Sequence, residues 1–84
     1  MTKILYFSWI RERLGMGEEM IDLPGEIKTV GEFLDWQKTR GDEFAAVLEI
    51  PEIVRVAVDH EHRDHDELLG EVTEIALFPP MTGG

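Results

Sequence analysis

The chain has 84 residues and no cysteine, so nothing but packing can hold it together. Disulfides, thiolate metal sites and a cysteine nucleophile are excluded together. A chain of this length makes one domain, and that domain buries only about 60% of its unfolded surface. The core is therefore small, and the pattern of apolar residues must place it economically. At 43% hydrophobic and 31% charged, the composition is that of an ordinary globular protein.

The clearest element is a helix. Thr29-Val30-Gly31-Glu32 has the form of a capping box, a hydroxyl followed three residues later by a glutamate. Val30, Phe33, Leu34 and Gln37 then share one face. Arg40 and Gly41 supply a cation and a glycine stop at its C-terminal end. Trp36 flanks the apolar face and reads as partial core rather than a platform for a ligand.

Strands surround this helix. Lys3-Ile4-Leu5-Tyr6-Phe7 is short, apolar and aromatic, and reads as a mostly buried strand. Ser8 is placed to cap a short helix over Trp9–Leu14, closed by Gly15. Residues 18–23 form a second strand, with Ile21 and Leu23 alternating with Met20 and Asp22 before Pro24-Gly25 ends it. Residues 42–48 suit one or two more helical turns, ended by Pro51. In residues 54–59 the valines Val54, Val56 and Val58 face one way, and Arg55, Ala57 and Asp59 the other. Residues 59–67 read as a polar turn or hairpin loop, and Glu74–Phe78 as the last strand with Ile75 and Leu77 inward. One main helix plus short helices packed on a mixed β-sheet is an α+β arrangement in two layers. The expected organisation is a domain over residues 1–78 and a projecting tail over 79–84.

The net charge is −10, from 18 acidic and 8 basic residues. Nucleic acid and anionic membrane surfaces are thereby disfavoured as partners. The acidity serves solubility or attracts a basic protein. No apolar run approaches a membrane span, and the N-terminal apolar run is too short for a signal peptide, so the expected location is cytoplasmic.

Side-chain chemistry is sparse. Residues 59–66 hold His60, His62 and His65 among acids, but structural zinc sites need four well-placed ligands, usually with thiolates. A solvated acidic loop is the expected reading, with no metal. No nucleophile–base constellation or phosphate-binding glycine loop is present.

What remains is the end, Phe78-Pro79-Pro80-Met81-Thr82-Gly83-Gly84. Pro79-Pro80 cannot continue a central strand and favours an extended path. Glycine gives the slimmest backbone. Two readings stand: a frayed end, or a tail that threads into another protein's active site. On the second, the carboxylate of Gly84 becomes an acyl group once another enzyme activates it with ATP, and Gly83 adds no obstruction.

The stretch "IALFPPMTGG" resembles the end of the small subunits of molybdopterin synthase, within the ubiquitin-like β-grasp sulfur carriers that finish in Gly-Gly. "LYFSWIRERLGMGEEMIDLP", "TVGEFLDWQ" and "VRVAVDHEH" resemble that family's opening, main helix and central strand. The chain departs from the family at Val72-Thr73-Glu74, where Gly-Asp-Glu is common, and at Met81-Thr82, where Val-Ala or Val-Ser is common.

The resemblance implies a ubiquitin-like β-grasp fold and a carrier that is not itself a catalyst. It binds no cofactor of its own, and ATP is consumed by its activating enzyme. An adenylating enzyme activates Gly84, a sulfur donor protein supplies sulfur, and a C-terminal thiocarboxylate results. The large catalytic subunit receives the tail, and sulfur passes to cyclic pyranopterin monophosphate in molybdenum cofactor biosynthesis. Gly84 is then the reacting residue and Gly83 its clearance, while Phe78, Pro79, Pro80, Met81 and Thr82 line the route into the partner. Phe78, ending a strand, reads equally as core. A sulfur carrier for thiamine thiazole synthesis, a ubiquitin-like modifier of lysines and a plain binding domain are the competing readings.

Overall fold

The computed structural model describes residues 1–80. Its elements run β1 (Thr2–Tyr6), α1 (Ser8–Leu14), β2 (Glu18–Ile21), α2 (Val30–Lys38), α3 (Asp42–Val47), a 3₁₀ turn (Pro51–Ile53), β3 (Arg55–Val58), β4 (Glu61–Arg63) and β5 (Glu74–Phe78). The strands form one five-stranded sheet in the order β2-β1-β5-β3-β4. The β1–β5 pair is parallel, with Ile4 beside Ile75 and Tyr6 beside Leu77. The other three pairings are antiparallel.

Strand composition explains this order. The three mainly apolar strands, β1, β5 and β3, occupy the interior, where both edges are hydrogen-bonded. The strands rich in charge, Glu18-Glu19-Met20-Ile21 and Glu61-His62-Arg63, take the two edges. Charged edges resist pairing with a second sheet.

One face of the sheet carries the core. Ile4 and Tyr6 of β1, Val56 and Val58 of β3, and Ile75 and Leu77 of β5 are buried against Val30, Phe33 and Leu34 of α2. Val54 is buried as well, so all three valines face inward as their alternation requires. The capping box is present: the Thr29 hydroxyl accepts from the Glu32 N–H, and the Glu32 carboxylate accepts from the Thr29 N–H at 2.9 Å. Helix α1 ends at Gly15, whose left-handed φ of 74° lets its N–H return to the Arg11 carbonyl.

Three expectations are corrected. Ser8 is not a cap. It is the first residue of α1 at φ 56°, and Phe7 precedes the helix in extended backbone with no side-chain cap. Gly41 does not end α2. The helix closes through Thr39, and Gly41, at φ 152°, instead precedes α3. The loop at 59–67 contains a strand, β4, joined to β3 through Asp59 and His60 at φ 50° and 72°. Both central residues lie in the left-handed region, which matches the twist of a tight hairpin. No helix among the described residues is long and apolar enough to cross a membrane.

Candidate functional site

The tail leaves from the middle of the sheet. Strand β5 is paired along one edge with β1 and along the other with β3, and its last residue, Phe78, lies opposite Arg55. The Phe7 N–H adds a bond to the Leu77 carbonyl at 3.1 Å. Pro79 and Pro80 follow, half-buried and outside any strand, as their missing N–H groups require. Met81, Thr82, Gly83 and Gly84 lie outside the described residues.

Phe78 is half-buried, and its place in β5 alternates with buried Ile75 and Leu77. It therefore sits on the sheet face opposite the helices, outside the core cluster. Of its two expected roles, the core one is removed. Leu5, Ala57 and Ala76 share that face and are also half-buried, while Met20 on β2 is 53% exposed. Leu5, Ala76 and Ala57 lie side by side across β1, β5 and β3 and make a short apolar row next to Phe78 at the root of the tail, while Met20 stands apart, beyond the Lys3–Glu18 pair. The sequence hid this row, because β1 reads as apolar throughout and gave no sign that Leu5 faces outward.

Beneath the same end of the sheet lies a polar network. Tyr6, neighbour of Leu77 in the ladder, is 1% exposed. Its hydroxyl donates to the Glu19 carboxylate and accepts from the Gln37 amide at 2.9 Å. Arg40 donates to both carboxylate oxygens of Glu19, at 2.7 and 2.8 Å, and to the Gln37 side-chain carbonyl at 2.8 Å. Its guanidinium also lies 5.3 Å from the Trp36 ring centre and 4.4 Å from that of Phe44. Trp36 is thus partial core, as expected, with a cation on its flank.

Each group shifts its neighbours. Burial, then the Glu19 carboxylate, pushes the Tyr6 phenol well above its ordinary range. The hydrogen bonds from Arg40 hold the Glu19 carboxyl below its usual value, and Glu19 in turn raises Arg40. Tyr6 is therefore fixed as a neutral donor, unsuited to proton transfer, and the network ties β1, β2 and α2 together. The sequence held one sign of it: Gln37 sits on an apolar helical face, and a buried amide needs partners.

The histidines do not converge. His60 sits in the hairpin turn, 84% exposed and 3.5 Å from Glu74. His62 is exposed on β4, and His65 Nε2 lies 3.0 Å from the Val54 carbonyl. Among the described residues, no three His, Asp or Glu side chains gather as metal ligands.

Residues 4–84 match the ThiS family. The chain belongs to the ThiS family. Known proteins sharpen this. The chain is 34% identical to the molybdopterin synthase sulfur carrier subunit of Caenorhabditis elegans, over 98% of this chain and 95% of that one. It is 30% identical to the protein of the same name from Escherichia coli (strain K12), over the full length of both. Among solved structures, a putative molybdopterin converting factor subunit 1 from Pyrococcus furiosus superposes with a TM-score of 0.72 at 26% identity, covering 95% of this chain and 97% of that one. SAMP1 from Haloferax volcanii superposes at 0.69 with 25% identity, covering 99% and 98%. The α+β sheet and helices are therefore the ubiquitin-like β-grasp fold of these solved structures.

Proposed function

We propose that this chain is the sulfur carrier subunit of molybdopterin synthase and works in molybdenum cofactor biosynthesis. The observation that carries the reading is the match over the full length of the Escherichia coli molybdopterin synthase sulfur carrier subunit. The position of the tail root supports it. A carrier presents its terminus to two enzymes in turn, so that terminus should spring from a strand that does not move. Strand β5, paired on both edges, meets this requirement.

The chemistry proceeds at Gly84. An adenylating enzyme joins the Gly84 carboxylate to AMP from ATP and releases pyrophosphate. A sulfur donor protein then supplies sulfur at the oxidation level of sulfide; its sulfur bonds to the Gly84 acyl carbon as the bond to AMP breaks, AMP leaves, and a thiocarboxylate remains. The tail enters the large catalytic subunit and its sulfur passes to cyclic pyranopterin monophosphate. Water returns the oxygen that restores the carboxylate. Gly83 leaves the acyl carbon open to attack. Pro79 and Pro80 have fixed φ, so less entropy is lost on docking. Phe78, Pro79, Pro80, Met81 and Thr82 line the route. The chain binds no cofactor for this; ATP belongs to the activating enzyme.

Mass spectrometry tests the proposal. The chain is incubated with ATP, an activating enzyme and a sulfur source, and its intact mass and fragments are recorded. The expected result is a mass rise equal to one oxygen exchanged for sulfur, located at Gly84, and its loss when the large subunit and the pterin precursor are added. An unmodified terminus under conditions that charge a known carrier overturns the reading. Conjugates to lysines in place of the thiocarboxylate would install a ubiquitin-like modifier instead. Deleting Gly83 and Gly84 should abolish sulfur transfer and leave the circular-dichroism melting curve unchanged.

A further inference from the structure

Arg55 stands out on the face that carries the tail root. It opens β3 between buried Val54 and Val56, so its side chain goes to the side away from the helices, where it is exposed. Its partner across the ladder is Phe78, the last strand residue before Pro79-Pro80. Of the other charged side chains that the strands put on this face, Lys3 and Glu18 pair with each other. Lys3 lies 3.7 Å from Glu18, and Glu74 lies 3.5 Å from His60. Arg55 has no carboxylate within 4 Å among the described residues. Glu52 and Asp64 line the same open cleft without reaching it. Arg63, also in that cleft, is taken by Glu61 at 3.7 Å and Glu67 at 3.9 Å.

This charge has the wrong sign for its surroundings. The chain carries −10, so a protein steered to it presents a basic surface. A protein that receives the tail must cover Phe78 and, with it, Arg55. Covering a guanidinium without supplying an anion leaves a desolvated, unpaired charge, which is costly. A basic surface laid over Arg55 would be repelled outright. The receiving protein therefore needs one carboxylate within an otherwise basic surface, at the position opposite Arg55. Glu52 and Asp64 disfavour a phosphate dianion in the cleft more than a single carboxylate.

We propose that Arg55 is a specificity-determining docking residue, which pairs with a carboxylate on the protein that receives the tail and so sets the register of docking. The planar guanidinium suits a two-point pair with a carboxylate. Long-range attraction comes from the acidic surface as a whole. Arg55 decides which attracted surface fits. This inference rests on the sulfur-carrier reading only in that a protein takes up the tail.

The test is calorimetric titration of the chain into the large subunit of molybdopterin synthase. Arg55→Glu should weaken binding by at least about 30-fold, the range for a charge pair broken at an interface. Arg55→Lys should recover most of that. Lys38→Glu makes the same change in net charge on α2, behind the sheet, and should alter affinity less than about 3-fold. Exchanging the partner's facing carboxylate for lysine should restore binding to Arg55→Glu. Thermal melts of the free variants, expected unchanged, separate docking from folding. An affinity unmoved by Arg55→Glu, or a Lys38→Glu loss as large, overturns the proposal while leaving the carrier reading intact. An unsubstituted chain that neither binds the large subunit nor acquires sulfur at Gly84 overturns both.

Discussion

Replacing Tyr6 by phenylalanine removes one oxygen and tests the network under the tail root. The hydroxyl is the donor to Glu19 and the acceptor for Gln37 Nε2. Phenylalanine fills the same volume, so no cavity forms. What is lost is a hydrogen bond to a charged group, worth roughly 1.5–3 kcal/mol, and the partner of a buried amide, worth about 1–3 kcal/mol. Gln37 is 0% exposed, so water cannot replace that partner without opening the core. Against this, a polar atom no longer has to be desolvated. The net expectation is a loss of about 2–4 kcal/mol. A domain of 84 residues has about 4–13 kcal/mol in total, so the loss is a large share of it. Urea unfolding followed by circular dichroism should show a lower midpoint at an unchanged slope. The melting temperature should fall by about 8–30 °C. Adding Gln37→Leu should recover part of the loss, because removing both partners leaves no stranded amide. A loss below about 0.5 kcal/mol for Tyr6→Phe, or a double variant worse than the sum of the single ones, would refute this account of the network.

Acid should act through Glu19. Arg40 lowers the folded-state pKa of Glu19 below its ordinary 4.5, so its stabilisation is full above that value and disappears as pH falls through the lower folded value. Glu19→Gln should be less stable at pH 7 and lose less than the unsubstituted chain between neutral pH and about pH 3; parallel pH curves would exclude this role. The β3–β4 turn should respond with opposite signs at its two residues. His60→Gly should stabilise by about 0.5–1 kcal/mol, since His60 holds φ 72° while 84% exposed. Asp59→Gly should destabilise, because its carboxylate accepts from the Thr73 and Glu74 N–H groups at 3.0 and 2.9 Å. Thermal melts of the two variants decide it, and a shift of the same sign in both would count against the turn geometry.

Much of the fold was legible because periodicity and capping are local. Thr29 with Glu32, the face of Val30, Phe33, Leu34 and Gln37, and the three alternating valines each declare an element within a few residues. Strand β4 was not legible, because Glu61-His62-Arg63 has no apolar member and exists only by pairing with β3. Ser8 misled because a hydroxyl before a helix is the usual cap, whereas here the chain enters α1 through a left-handed residue. The reading of the tail root was half legible. The Pro-Pro stop gave the end of β5 and the alternation of Ile75 and Leu77 set Phe78 on the opposite face, but only the sheet order shows that β5 lies between β1 and β3. Glu19 and Arg40 are 21 residues apart, and no local pattern joins them.

The two sides of the sheet near Phe78 divide the work between them. On the inner side, Tyr6, Glu19, Gln37 and Arg40 satisfy one another, so the buried polar atoms there demand nothing from outside. On the outer side, Phe78, Leu5 and Ala76 are only half-covered, and Arg55 has no carboxylate within 4 Å among the described residues. A satisfied network rigidifies, and an unsatisfied surface recruits. Because β5 is hydrogen-bonded to both neighbours, a force or strain applied to the tail is resisted by two ladders rather than one. Pro79 and Pro80, with φ fixed by their rings, have less ordering entropy to lose on docking. On the proposed reading, in which the terminus is threaded into an activating enzyme and then into a synthase, a root paired on both edges holds its place through both dockings.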